Sequence, residues 1–257
     1  MSNRINALFQ RKPSNLLSVY FTAGFPHLDS TVPVLQALQN GGVDMVEVGI
    51  PFSDPMADGP VIQASSHLAL LNGMTLKILF SQLASMRPAI HIPVILMGYT
   101  NVVLQYGLEA FCASCREVGV DGIILPDLPM DEYLREYKPV MDAYGIVLIL
   151  LITPETSDER IRAIDEHTSS FIYMVSSASI TGAQTTFNDQ KTAYFKRIQE
   201  MGLTNPRLVG FGVSNKATYE AACAYAAGAI VGSRFIECLR ASSSPEKGVA
   251  CLLDGLK

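Results

Sequence analysis

This chain lacks a cluster of basic residues, a long apolar run and an even set of cysteines, and each absence removes a class of function. Nineteen Lys and Arg against 24 Asp and Glu leave a formal net charge of −5, the wrong sign for a nucleic-acid groove, which selects clustered cations. No basic stretch of the membrane-binding kind is present either. The longest purely apolar segment, Ile146 to Ile152, is far short of the ~20 residues a bilayer-spanning helix needs. Met1-Ser2-Asn3-Arg4-Ile5 lacks the apolar core of a signal peptide. Five scattered cysteines make no disulfide framework. Cys112 and Cys115 form a CxxC, but no second pair and no nearby histidine completes a metal set, and the Leu108–Val118 stretch around them has helical apolar spacing. They read as packed thiols. A soluble, cytoplasmic protein without a metal is expected.

What is present is material for a large core. Hydrophobic residues make up 49% of the 257 and charged residues only 17%. Short apolar runs rich in β-formers alternate with helix-like segments: strands are expected at Ser18–Phe21, Met45–Val48, Pro93–Met97, Gly122–Leu125, Ile146–Leu151, Phe171–Val175, Leu208–Phe211 and Ala229–Val231. Helices are expected between them, with additional short ones, one of them at about Leu76 to Met86. No composition break or linker interrupts the series. A doubly wound open sheet is the rival, but no strand is followed by a G-x-G-x-x-G turn opening a helix. The expectation is α/β, a single (β/α)8 TIM barrel occupying residues 1–257.

A barrel places its working residues at the C-terminal ends of strands and in the loops that follow. By that rule one face collects Glu47 and Asp58 (strand two), Tyr99 and Asn101 (three), Asp127 (four), Thr153 (five), Ser176 to Asn188 (six), Gly210-Phe211-Gly212-Val213-Ser214 (seven) and Gly232-Ser233 (eight). Glu47 stands out because it interrupts an apolar strand, where an unpaired carboxylate costs several kcal/mol or is forced to hold its proton. Gly210, Gly212, Gly232 and Ser233 suit a phosphate: glycines let backbone N–H groups approach an anion, and the helix after Gly232-Ser233 aims its positive end there. Arg234 adds charge or points to solvent; Asp54, before Pro55, reads as turn chemistry, and His27 as a solvated loop residue.

The run Glu47-Val48-Gly49-Ile50-Pro51-Phe52-Ser53-Asp54-Pro55-Met56-Ala57-Asp58-Gly59-Pro60 closely resembles the signature of the tryptophan synthase alpha subunit family. The resemblance continues through Phe21-Thr22-Ala23-Gly24, Leu125-Pro126-Asp127-Leu128-Pro129, Thr181-Gly182, Gly210-Phe211-Gly212-Val213-Ser214 and Val231-Gly232-Ser233, in the right order. It implies a lyase that splits indole-3-glycerol phosphate into indole and glyceraldehyde 3-phosphate in tryptophan biosynthesis. It implies a beta subunit as partner, in an alpha2beta2 assembly, with pyridoxal phosphate only in that subunit and no cofactor in this chain. The absence of any Trp is in keeping with a tryptophan-pathway enzyme.

Carried over by position, Glu47 becomes the principal acid and base, and Asp58 its partner on the indole nitrogen. The chemistry needs two such carboxylates: one holding a proton for indole carbon 3, the other ionised beside the developing positive charge. A flat apolar indole pocket takes its candidates from Tyr20, Tyr99, Leu125, Tyr173, Thr181 and Phe211. By resemblance, Thr181 orients Asp58 when a lid closes, Gly182 joins the phosphate site, and Asp127 faces the beta subunit, though a simple loop cap suits Asp127 as well. The sequence departs from the family at Ser177 and Ser179, where many members carry a basic residue and a glycine. A barrel of the indole-glycerol-phosphate synthase kind would need a lysine near a strand end, and none stands in a plausible place. The remaining alternative is a catalytically weak phosphate-binding subunit that activates its partner.

Overall fold

The alternation seen in the sequence becomes parallel strands separated by helices in the computed structural model, which describes residues 3–176, 187 and 189–256. The strands are β1 (Leu16–Thr22), β2 (Met45–Gly49), β3 (Val94–Met97), β4 (Gly122–Ile124), β5 (Val147–Leu148), β6 (Leu150–Ile152), β7 (Ile172–Val175), β8 (Arg207–Gly210) and β9 (Gly228–Val231). They pair in the order β5-β4-β3-β2-β1-β9-β8-β7-β6. Every ladder is parallel. β5 and β6 are the two pieces of the expected fifth strand, parted at Ile149; the first bonds β4 and the second β7, so the sheet closes on itself. The fold is the (β/α)8 barrel.

Period-two alternation divides the apolar residues into two cores. On β2, Val46 and Val48 face outward and pack with the surrounding helices, while Met45, Glu47 and Gly49 face the barrel axis. The interior is filled by Leu16, Met45, Ile95, Ile149, Leu208 and Ile230, each 2% exposed or less.

The floor of the barrel is closed by the helix Arg4–Arg11, which the sequence reading did not anticipate. Its Ile5 and Leu8 join the interior cluster, and Phe9 packs on Phe171 with ring centroids 5.6 Å apart. Asn3 caps it by accepting the Ile5 N–H, and Arg4 and Arg87 both reach the buried Asp121, at 2.8 and 2.6 Å. A second unanticipated helix, Thr100–Tyr106, directly follows β3 and takes in Asn101. The segment expected to be helical from Asp131 to Tyr144 is helical but contains a π-helical turn, Tyr133–Tyr137.

Cys112 and Cys115 are buried free thiols on the helix Leu108–Val118, and burial pushes Cys112 up to about 11. Cys238 and Cys251, in contrast, form a disulfide between the helices Ser233–Ala241 and Pro245–Leu256, a pairing not read from the scattered spacing. Two helices packed side by side bring residues 13 apart in sequence to a Cα separation of 5.8 Å. No helix among the described residues is long and apolar enough to cross a membrane.

Candidate active site

Glu47 sits on β2 beside Tyr20 of β1, its register partner, and is wholly buried. One carboxylate oxygen, Oε1, accepts the Ser18 hydroxyl at 3.0 Å. Oε2 has no hydrogen-bond partner among the described residues. Burial pushes its pKa up to about 8, with the Ser18 bond opposing, so Glu47 holds a proton at neutral pH. The strand carboxylate is a proton donor in waiting.

Asp58 reaches the same region from the loop after β2. That loop is tied down where it matters: Phe52 donates its N–H to Ser66 Oγ at 2.9 Å, and the Asp58 N–H bonds the Pro55 carbonyl at 3.0 Å. Gly59 then caps the helix Pro60–Leu71, whose first residue is the proline favoured there. Asp58 is 8% exposed and its Oδ2 accepts the Tyr99 hydroxyl at 2.9 Å. Burial raises its pKa to about 6, the Tyr99 bond holding it back, so Asp58 is mostly ionised where Glu47 is mostly neutral. Asp54, the third carboxylate of this stretch, is exposed and accepts the Ser53 hydroxyl within its own turn.

Between these groups lies a cavity with aromatic walls from Tyr20, Tyr173 and Phe211 and an aliphatic lining from Ile62, Met97 and Ile230. Two glycines make room for the phenols. A methyl group on Gly49 would sit 2.0 Å from the Tyr20 oxygen, and one on Gly210 would sit 2.3 Å from that of Tyr173. The two phenols titrate well above the usual range because they are buried, Tyr20 with Asp58 and Tyr173 with Glu47 as the next cause. Asp58 lines the cavity directly, while Glu47 lies behind the tyrosines within electrostatic reach of both.

The cavity also takes in glycines, serines and a helix start. Gly212, Ser214, Gly232 and Ser233 line it, and the helix Ser233–Ala241 starts at Gly232 with its N-terminus at the wall. Phe211 and Gly212 have φ of 67° and 80°; for Phe211 this is a strained conformation, held by a short bond from the Ser176 hydroxyl to its carbonyl. Arg234 also lines the cavity, but its guanidinium lies 3.8 Å from Glu237 and 3.9 Å from Cys251 Sγ.

Of the residues singled out from sequence, the cavity gathers Asp58, Tyr20, Tyr173, Phe211, Gly212, Gly232 and Ser233. Tyr99 stands behind Asp58, stacked on Phe52 at 5.1 Å. Gly210 does not line it; that glycine is where the Tyr173 ring passes. Leu125 lines a separate cavity with Thr153. Thr181, Gly182, Ser177 and Ser179 lie outside the described residues. Asp127 caps the helix Thr100–Tyr106, accepting the Thr100 N–H at 3.0 Å and its hydroxyl at 2.9 Å. Ile62, Met97 and Ile230 were missed, although the inward phase of β3 and β9 marks the last two. No group of three or more His, Cys, Asp or Glu among the described residues could hold a metal.

The family model described as tryptophan synthase alpha chain matches residues 6–254. This chain belongs to the tryptophan synthase alpha chain family. The tryptophan synthase alpha chain of Parabacteroides distasonis is 60% identical over 255 residues, covering 99% of each chain. Among solved structures, the alpha chain from Legionella pneumophila subsp. pneumophila aligns over 100% of this chain and 96% of its own, with TM-score 0.87 and 31% identity. A tryptophan synthase complex from Pyrococcus furiosus contains a chain of which 97% aligns with 94% of this one, at TM-score 0.83 and 32% identity. In this chain one carboxylate, Asp58, lines an aromatic cavity that also takes in a helix N-terminus, and a second of higher proton affinity, Glu47, is buried nearby.

Proposed function

We propose that this chain is a carbon–carbon lyase that cleaves indole-3-glycerol phosphate to indole and glyceraldehyde 3-phosphate, working as one barrel domain. The observation that carries this reading is the split between the carboxylates, Glu47 at about 8 and Asp58 at about 6, beside an aromatic-lined cavity. Protonated Glu47 delivers its proton to indole carbon 3, turning a poor leaving group into an indolium cation. Ionised Asp58 accepts the indole N–H and stabilises the positive charge as it forms. The Glu47 carboxylate then takes the proton of the glycerol hydroxyl beside the scissile bond. The carbon–carbon bond breaks, its electrons restore neutral indole, the carbinol carbon becomes the aldehyde, and Glu47 is protonated again.

Tyr20, Tyr173 and Phe211 supply the walls against which the indole ring packs. The phosphate sits at the far end, where Gly212, Gly232 and Ser233 and the helix N-terminus offer N–H groups and a favourable dipole. The orienting role of Thr181 and the phosphate role of Gly182 are carried only by the family resemblance.

The chemistry uses no metal or cofactor of this chain. The partner is a tryptophan synthase beta subunit, which holds the pyridoxal phosphate, in an alpha2beta2 heterotetramer; the Pyrococcus furiosus neighbour is itself a complex. The enzyme works in the cytoplasm. The test is to supply indole-3-glycerol phosphate and follow indole release, with and without a beta subunit. Release that Glu47→Gln abolishes supports a lyase; binding without turnover in both conditions turns the reading to a subunit that only activates its partner.

A further inference from the structure

We propose that Lys191 supplies the positive charge at the phosphate end of the cavity and raises affinity for the phosphoryl group of the substrate. The inference rests on reading that end as the phosphate site, and it adds a charged side chain to it.

Lys191 belongs to the helix Asp189–Glu200, the element that follows the loop after β7. Lys191 is only 7% exposed, unusual for a compact and strongly hydrated ammonium. Its place is specific. A methyl group built on Gly212 would lie 3.4 Å from Lys191 Nζ, 3.8 Å from Ser176 Oγ and 3.9 Å from the Phe187 ring. Lys191 Nζ therefore lies beside a residue that lines the cavity, at the turn where Phe211 and Gly212 both take positive φ. The Phe187 ring lies under the ammonium at 5.3 Å from its centroid and holds it in that position.

Burial lowers the Lys191 pKa, so an anion arriving beside it gains more than it would from a solvated lysine. A phosphate monoester carries up to two negative charges, and a lysine serves such a group as a point charge without needing a forked geometry. Glycine suits position 212 because of its positive φ.

The test is calorimetric titration of glycerol 3-phosphate and of indole, separately, into wild type, Lys191→Met, Lys191→Arg and Gly232→Asp. Lys191→Met is expected to weaken glycerol 3-phosphate by at least ~10-fold and to leave indole within about twofold, the size expected for losing one charge-assisted contact. Lys191→Arg, which keeps the charge, should recover most of the loss. In turnover, KM for indole-3-glycerol phosphate should rise while kcat stays within about threefold. Unchanged glycerol 3-phosphate affinity in Lys191→Met, with affinity lost in Gly232→Asp, overturns the role of Lys191 and leaves the phosphate site standing. Equal loss of both ligands marks a packing role and also overturns it. Normal binding in Gly232→Asp removes the phosphate reading itself, and the proposal with it.

Discussion

Tyr99 and Asp58 are joined by a hydrogen bond of 2.9 Å, and the same phenol oxygen accepts the Ala57 N–H at 3.0 Å. One side chain from the end of β3 thus fixes both the carboxylate and the backbone that carries it. The bond favours the ionised form of Asp58 and opposes the burial that raises its pKa to about 6. In Tyr99→Phe that opposition is gone, so Asp58 binds its proton more tightly. The acid limb of kcat/KM should move to higher pH, with a loss of about tenfold near pH 6 that shrinks toward pH 8. A pH–rate profile unchanged from wild type would mean that Asp58 need not be ionised.

Glu47 places function and stability in opposition. Its carboxyl titrates at 4.5 in an ordinary setting and at about 8 in the fold, so the folded state binds the proton more tightly than the unfolded chain does. That contribution to stability is fully present below pH 4.5 and is lost as pH rises through about 8. Glu47→Gln cannot ionise and escapes the loss. Denaturant titrations should show it no more stable than wild type near pH 4.5 and more stable by several kcal/mol near pH 8, while indole release falls at least ~100-fold.

Gly49→Ala tests whether Tyr20 is held where catalysis needs it. The new methyl would meet the Tyr20 oxygen at 2.0 Å, so the ring or the strand must shift. A cost of about 1–3 kcal/mol in stability is expected for such overpacking. Because Tyr20 walls the cavity, kcat/KM should fall as well, and adding Tyr20→Phe, which removes the colliding oxygen, should recover part of the stability.

Gly232→Asp separates binding from folding. A β-carbon at that position meets nothing closer than 3.6 Å, and an aspartate at a helix N-terminus is favourable in itself. The variant should therefore fold with an unchanged or higher Tm. Its carboxylate would occupy the positive end of the helix and repel a phosphate, so calorimetry should detect no glycerol 3-phosphate binding. Binding at wild-type strength would place the phosphate elsewhere.

Much of the site was legible because the chemistry of this chain is written in local spacing. Glu47 interrupts an apolar strand, Asp58 precedes a Gly-Pro helix start, and Gly232-Ser233 opens a helix, all recognisable from near neighbours in sequence. Contacts between distant elements were not legible in that way. Gly210 looked like part of a cradle and is a clearance for Tyr173, a relation that depends on β7–β8 register. The helix Arg4–Arg11 has two inward apolar residues whose use becomes visible only when the open floor of the barrel is known. Lys191 looks like any helix lysine until the fold lays it against Gly212.

Chain order was enough for the barrel, through short apolar runs alternating with helix-like segments, and for the face that carries the chemistry, since strand ends and loops are properties of that order. The sequence by itself also determined that Glu47 must enter an apolar interior. Only the tertiary structure decided the proton affinities, because these depend on how much water each carboxylate loses and on who donates to it: Ser18 to Glu47, Tyr99 to Asp58. Burial and partnership are sums over neighbours from many strands, and no single stretch of sequence contains them.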